Sequence, residues 1–283
     1  MRTIDFETIL AQSMQLTGLD RHNVSDHSFS QIRDFANNRI QTAWEHDAWP
    51  DLIRSTRFPV INSGDMHYVV IPNNGTVTNS EGTFKVDIGT IMQVTLEDPR
   101  TKGKVKEIGF SFDEFEQLVG GQVYTTVKRV IIDIVDATEV FLTYRINCPE
   151  LVGELYNSTV TYEPNQTAYY AYSNTLYFAP STGAVYGGKK GNFWKCIVQT
   201  ATKPNIDGNS EPLINDKWSK VKIPAMFGQY IIKGIQADWL KSEMQIQFGQ
   251  SIDQEAGALL DLEVHKAIVQ QGIQPRMKFN QIY

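Results

Sequence analysis

The stretch Arg39-Ile40-Gln41-Thr42-Ala43-Trp44-Glu45-His46-Asp47-Ala48-Trp49-Pro50 closes an amphipathic pattern whose apolar side has no partner nearby in the chain. That mismatch restricts what the chain can fold into. Ile32, Phe35, Ala36, Ile40, Ala43 and Trp44 recur at three- and four-residue spacing, so they share one side of a helix and not one side of a strand. Ser28 and Gln31 offer a Ser-x-x-Gln capping box in front, and Pro50 has no amide with which to continue the ladder. The spacing predicts a helix over 29–47. Such a stripe must be buried, yet residues 54–219 read as strands and turns, so its partner has to lie elsewhere.

The other helical patterns sit at the two ends of the chain. Phe6, Ile9, Leu10 and Met14 form a face behind Thr3 or Asp5 as a cap, and Gly18 stands where a left-handed C-terminal residue is wanted. Near the other end, Pro224 occupies a first helical position before Phe227, Tyr230, Ile231, Gly234, Ile235 and Trp239. Ser251 and Gln254 repeat the capping box ahead of Ile252, Ala256, Leu259, Leu260, Ala267 and Ile268, with Gly272 closing the segment. Two helices at each end pair into one four-helix bundle. The expected class is therefore α+β, with antiparallel β structure inserted into a bundle made of the chain's ends. The expected divisions are 1–53 (N-terminal helices), 54–156 (antiparallel β domain), 157–221 (small aromatic-rich β module), 222–272 (C-terminal helices) and 273–283 (extended arm).

Within the first β region, residues 66–71 and 84–96 read as strands separated by the turn-rich Pro72-Asn73-Asn74-Gly75. Asp98-Pro99-Arg100 reads as a turn. Phe112, Phe115 and Val119 share a helical face, so 112–119 is expected as a short helix over the sheet. Residues 127–134 and 139–146 flank Asp136-Ala137-Thr138 as a hairpin would.

The formal net charge of −6 disfavours nonspecific nucleic-acid binding, which rewards clustered Lys and Arg. No run approaches the ~18 apolar residues of a membrane helix, and the start lacks a basic-then-apolar secretory pattern, so a cytosolic origin is expected. Cys148 and Cys196 are too few for a disulfide framework and have no CxxC partner, which leaves both as small buried apolar residues.

Composition shifts at 157–221, where Tyr162, Tyr169, Tyr170, Tyr172, Tyr177, Phe178, Tyr186, Phe193, Trp194 and Trp218 crowd a segment cut by prolines. Gly191-Asn192-Phe193-Trp194-Lys195-Cys196, followed by Pro204 and by Lys217-Trp218-Ser219-Lys220-Val221, resembles the small chitin-binding type of carbohydrate-binding module. The resemblance implies that mini-fold and makes Trp194 and Trp218 candidate sugar-stacking residues. Core packing of both is the competing reading, and the favoured one.

Chemical motifs fail one after another. Gly183-Ala184-Val185-Tyr186-Gly187-Gly188-Lys189-Lys190 has P-loop spacing, but Lys190 stands where Ser or Thr would hold magnesium, and β patterns lie on both sides of it. His22, His27, His46, His67 and His265 form no HExxH or Cys/His cluster. Glu45, His46 and Asp47 are adjacent on a helix and point apart. Asp113, Glu114 and Glu116 suit a helix N-terminus better than an acid/base pair. There is no GxSxG or SxxK nucleophile. The expectation is a non-enzyme with no catalytic residue, no cofactor and no metal site.

An absence of chemistry with helical ends and inserted β structure suggests a structural part, and the chain resembles the head-to-tail adaptors, or connectors, of tailed bacteriophages. The resemblance rests on the helix over 29–47 with Asn37-Asn38-Arg39-Ile40 and with Ala43-Trp44-Glu45, Asp47, Trp49 and Pro50, on the turn Asp98-Pro99-Arg100, and on the passage from Trp218 to Pro224. It implies a virion protein of the neck, made in the host cytoplasm. Copies, twelve in that family, form a ring beneath the portal protein, extend the DNA channel and dock a downstream tail or nozzle protein. Duplex DNA would pass without specific binding, which the acidic balance suits. After Gly272 the residues Pro275, Met277, Phe279, Ile282 and Tyr283 form an extended arm whose apolar side chains gain only if buried, so they are the expected contact with portal or neighbouring subunit; folding back onto the same chain is the alternative. Two rival classes are a glycan-binding tail or capsid-decorating protein, and a cell-wall hydrolase whose carboxylates meet only in the fold.

Overall fold

The computed structural model describes residues 2–19, 25–71, 76–101, 105–119, 123–133, 137–152, 156–157, 159–163, 166–171, 176–178, 185–187, 191–197, 200 and 217–271. It is mixed α+β, with helices toward both ends and several antiparallel sheets between. The chain opens with β1 (Thr3–Ile4), α1 (Phe6–Thr17) and α2 (Asp26–His46). A 3-10 turn at Pro50–Leu52 precedes β2 (Ile53–Pro59), β3 (Ile61–Ser63), β4 (Met66–Ile71), β5 (Thr76–Asn79), β6 (Gly82–Lys85) and β7 (Thr90–Thr95). Then come β8 (Phe110–Val119), β9 (Val123–Ile132), β10 (Glu139–Arg145), β11 (Thr167–Ala171), β12 (Leu176–Phe178) and β13 (Val185–Gly187). Finally β14 (Gly191–Cys196), β15 (Trp218–Lys220) and β16 (Ile223–Pro224) lead through a 3-10 turn, Ala225–Phe227, into α3 (Gly228–Ser242) and α4 (Ile246–Gln271). Contacts divide the chain into two compact units, one of Met1–Asp47 with Cys148–Lys266, the other of Ala48–Asn147 with the chain from Ala267 on.

In the first unit α3 is the hub. It packs against both α1 and α2, and its buried residues Tyr230, Ile231, Ile232, Gly234, Ile235, Ala237 and Trp239 run most of the way round the helix. A helix apolar on so many sides needs cover on several faces, and α1 and α2 supply it. From α2 the buried residues are Phe29, Ile32, Ala36, Ile40, Ala43 and Trp44, the expected stripe except that Phe35 faces the cleft described below; Trp44 meets Phe227 edge-on at 6.2 Å. α1 buries Phe6, Ile9, Leu10 and Met14 and ends on Gly18 in the left-handed region, φ 72°, as expected.

The aromatic β module is part of this unit and has cover on both faces. β14 lies between β11 and β15. Because side chains alternate along a strand, Phe193 points one way, into a cluster with Phe6 at 5.0 Å and Tyr169 at 5.1 Å, and Tyr169 in turn meets Phe29. Trp194 points the other way, into a core with Tyr162, Ala168, Cys196 and Trp218. Among the described side chains, Tyr169 and Phe193 on one side and Tyr162, Trp194 and Trp218 on the other serve two small cores separated by one sheet.

In the second unit two sheets, ordered β2-β10-β7 and β3-β4-β9-β8, share a core of Phe58, Val69, Ile91, Val94, Val130, Ile132, Val140, Leu142 and Tyr144. Glu139 fastens the β5–β6 turn to this core: its carboxylate accepts from the Ser80 amide at 3.0 Å and hydroxyl at 2.9 Å, which holds its pKa below the ordinary glutamate range. The turn at Asp98 is present, with Thr101 N–H donating to Asp98 O at 3.1 Å.

Several local expectations are corrected. Residues 112–119 belong to strand β8, not to a helix: the whole strand is joined to β9 by ten consecutive pairs, and a three-residue step such as that from Phe112 to Phe115 does not repeat on one face of a strand. β9 and β10 do not form a hairpin, because β9 pairs with β4 and β8 whereas β10 sits between β2 and β7. Residues 84–96 are not one strand but parts of β6 and β7. The cap of α2 is Ser25, whose side chain accepts from Ser28 N–H at 3.0 Å, so the helix starts a turn before the Ser28/Gln31 box. Ser251 and Gln254 lie inside α4, which begins at Ile246 because Met244, at φ 61°, turns the chain directly from α3. Pro224 pairs with Thr3 in β16 and stands in front of the 3-10 turn Ala225–Phe227, not at the first position of α3. At the start of α1, Asp5 caps by position only, and its carboxylate takes Lys220 at 3.0 Å.

At Gly234 a Cβ would fall 2.6 Å from Arg39 Cδ, and that side chain is pinned by three hydrogen bonds and cannot yield cheaply. Gly234→Ala is expected to cost about 1–3 kcal/mol in urea unfolding, whereas Gly257→Ala in α4, where a Cβ meets nothing within 4 Å, should stabilise by about 0.5–1 kcal/mol.

Candidate functional site

Charge on an apolar helix face demands a counter-charge, and Arg39 lies beside Ala36, Ile40 and Ala43 in just that position. Its guanidinium spans a bidentate bond to Asp238 of α3, Nε to Oδ2 at 2.8 Å and Nη2 to Oδ1 at 2.6 Å. The remaining arm, Nη1, donates to Asp253 Oδ1 of α4 at 2.6 Å. Lys241 Nζ donates to the other Asp253 oxygen, also at 2.6 Å, and the face of Tyr230 lies 5.7 Å from the guanidinium carbon. One side chain thus ties α2, α3 and α4 together.

The electrostatics agree. Burial alone would lower the Arg39 pKa, but bonds to Asp238, Tyr230 and Asp253 outweigh it and raise it. For Asp253 burial works upward, and the bonds from Lys241 and Arg39 win, leaving it below the usual aspartate value. α4 comes close enough for this because Gly249 has no side chain: a Cβ there would sit 2.9 Å from Ala237 O and 2.6 Å from Lys241 Cγ.

Beside this clamp is an open cleft of about 420 Å³ lined by Phe35, Asn38, Arg39, Thr42, Tyr230, Asp238, Lys241 and Ser242. Its cations are spent on Asp238 and Asp253. Its hydroxyls are turned to the helices, Thr42 donating to Asn38 O at 2.8 Å and Ser242 to Trp239 O at 2.7 Å. The arrangement fixes helices in register; it aligns no nucleophile with a base.

The residues singled out in the sequence fall as follows. Asn37 clasps the backbone of Leu151, donating to its carbonyl at 3.1 Å and accepting from its amide at 2.7 Å. Trp49 is buried, and Pro50 opens a 3-10 turn. Trp194 is 4% and Trp218 3% exposed, with Tyr162 edge-on to Trp218 at 5.3 Å, so neither indole offers the open ring face that sugar stacking uses. Pro275, Met277, Phe279, Ile282 and Tyr283 lie outside the described residues. Of the P-loop-like run, 185–187 forms a strand antiparallel to β12, and the rest lies outside the described residues. Asp113 is paired with Arg129 on β9. Cys196 is buried and free; Cys148 is free and partly buried, its thiol pushed up to about 12 by burial and then by Glu150 and Glu45. Among the described residues no group of three His, Cys, Asp or Glu side chains could hold a metal ion, and no helix is long and apolar enough to cross a membrane.

Asp238, Asp253 and Lys241 escaped the sequence reading, and Tyr230 was read only as part of a helix face. A signal existed for Asp253, an acid between Gly249, Ala256 and Leu260 on the buried face of α4. No protein-family model matches the chain, and no curated protein is significantly similar to it.

Removal of the clamp should be measurable. Arg39→Met is expected to cost about 2–3 kcal/mol in urea unfolding at neutral pH, less than a fully buried pair because both carboxylates keep some water; Arg39→Lys, which keeps the charge but loses the fork, should cost less. Because the Asp253 pKa is depressed in the folded chain, its contribution is present above about pH 4, the unfolded aspartate value, and disappears as pH falls through the lower folded value. Asp253→Asn should therefore be less stable by about 1 kcal/mol at pH 7, with the deficit shrinking as pH falls below about 4.

Proposed function

We propose that this chain is a structural virion protein, a head-to-tail adaptor of a tailed bacteriophage. In this reading α1 to α4 form a four-helix bundle built from both ends of the chain, and the β elements between α2 and α3 are insertions on it. The observation that carries the reading is the meeting of α3 with α1 and α2, together with the Arg39 clamp to α3 and α4, which makes one scaffold of segments some two hundred residues apart. Its support in sequence is the α2 signature, whose residues hold structural posts: Asn37 on Leu151, Arg39 on both acids, Trp44 on Phe227.

Copies assemble into a ring, twelve as the resemblance implies, in the neck beneath the portal. Each copy shows a different face to each neighbour, and the ring closes by rotation. Modest interfaces suffice because the portal acts as template. The net charge of −6 suits a channel through which duplex DNA slides, since few neutralised phosphates mean little drag. A downstream tail or nozzle protein docks below. The chain performs no catalysis in this role and needs no cofactor.

The test is sedimentation of the purified chain with the portal ring of the same genome. Co-sedimentation is expected, and loss of residues 275–283 should abolish it while leaving the thermal melt nearly unchanged. Separate sedimentation of the intact chain, or full attachment of the truncated one, would overturn the portal assignment or the role of the arm respectively.

A further inference from the structure

α4 carries more apolar surface than the described residues cover. It buries Gly249, Ala256 and Leu260, and it reaches the rest of the first unit through Asp253 on Arg39 and Lys241 and through Asp261 on His46. At 3.6 residues per turn these positions fall on one side of the helix. A second set steps along the adjoining flank at alternating intervals of four and three: Phe248, Ile252, Glu255, Leu259, Leu262, Lys266 and, further along the same helix, Val269. Phe248 is 71% and Leu262 50% exposed, Val269 is exposed, and Ile252 and Leu259 are only partly buried. Alternation of four and three is the seam of a coiled coil, the spacing that keeps one flank in line with a second helix over many turns.

Two ions interrupt the seam, and they decide what can lie on it. Glu255 and Lys266 hold core positions of the repeat, where burial without a counter-charge is costly. Within the chain Glu255 takes Lys233 at 3.0 Å, and Lys266 takes Glu263 one turn back. Both seam ions have side chains more than half exposed, and pairs of that kind hold little energy and yield readily to a new partner. A second α4 laid parallel and in register would set Glu255 against Glu255 and Lys266 against Lys266. Laid antiparallel with Leu259 opposite Leu262, it sets Glu255 opposite Lys266 and Ile252 opposite Val269, each pair occurring twice. Sliding it by one heptad in either direction turns Lys266 to Phe248 or Leu262 and leaves Glu255 facing no cation.

We propose that this flank of α4 is a docking surface for α4 of a second copy of the chain, laid antiparallel in the register that pairs Glu255 with Lys266. Leu259 and Leu262 of both copies meet around the two-fold axis, the ion pairs flank them, and Ile252 with Val269 closes each end. The leucines and their apolar neighbours supply the affinity. The ions supply direction and register, the use to which polar groups at core positions of a coiled coil are put. The contact joins identical faces and closes at two copies. It describes the free chain before any ring is built, so it goes beyond the adaptor reading and does not rest on it.

The test is sedimentation equilibrium of the full chain without portal, where a dimer is expected. Glu255→Lys and Lys266→Glu should each weaken self-association at least tenfold, because each sets like charges face to face at both ends of the contact. The two variants mixed should associate with one another, and a chain carrying both changes should dimerise like the parent; thermal melts confirm that each variant is folded. A Leu259→Cys chain mixed with a separately tagged Leu262→Cys chain should form disulfide-linked dimers in higher yield than either alone. A monomeric parent, charge reversals without effect, or folded single variants that fail to combine would overturn the proposal. A Leu259→Cys chain that cross-links chiefly to itself would overturn it equally, by showing parallel helices. Portal binding is scored separately, so a monomeric chain that attaches to the portal sinks this inference alone, and a dimer that fails to attach sinks the adaptor reading alone.

Discussion

The apolar stripe of α2 is buried chiefly against α3, a helix from the far end of the chain, and the rest of the first unit follows from that constraint. Ile32 and Ile40 are wholly buried, and each such side chain is worth about 1.5–3 kcal/mol when removed from water. The Arg39 clamp contributes much less net stability, because both partners surrender hydration to make it. Its importance is positional: an apolar stripe tolerates sliding and rotation, whereas a forked guanidinium bound to Asp238 and Asp253 admits one arrangement. Gly234 and Gly249 complete the device by removing the side chains that would stand in its way.

What could be read from the sequence was whatever repeats. The faces of α1 and α2, the left-handed Gly18, the strand at 66–71 and the turn at Asp98 announce themselves locally, and the folded chain has them. Helix starts were less legible, since Ser25 and Ser28 are equally good caps and only the tertiary setting chooses between them. Strand partners were the least legible. Nothing in β9 or β10 says that they enter different sheets, because pairing depends on β2, β4 and β7, which lie far away in sequence. The same holds for the clamp: Arg39 stood out as part of a signature, but its acids are 199 and 214 residues away. For β8 the period was ambiguous, and a helical spacing of three aromatic and aliphatic residues masked a strand.

The proposed adaptor role and this physical picture share one logic. Burying Trp194, Trp218, Phe193 and Tyr169 within the sheet-and-helix core spends the aromatic residues on rigidity. A ring of such units would owe its shape to a stiff helical scaffold.

The most direct measurement is cryo-EM of the chain assembled on the portal ring from the same genome. The account requires an added layer with portal-matched symmetry in which α1 to α4 of each copy form the ring wall. Undecorated portals beside free monomers, or chains bound on the outside of the capsid, would contradict it.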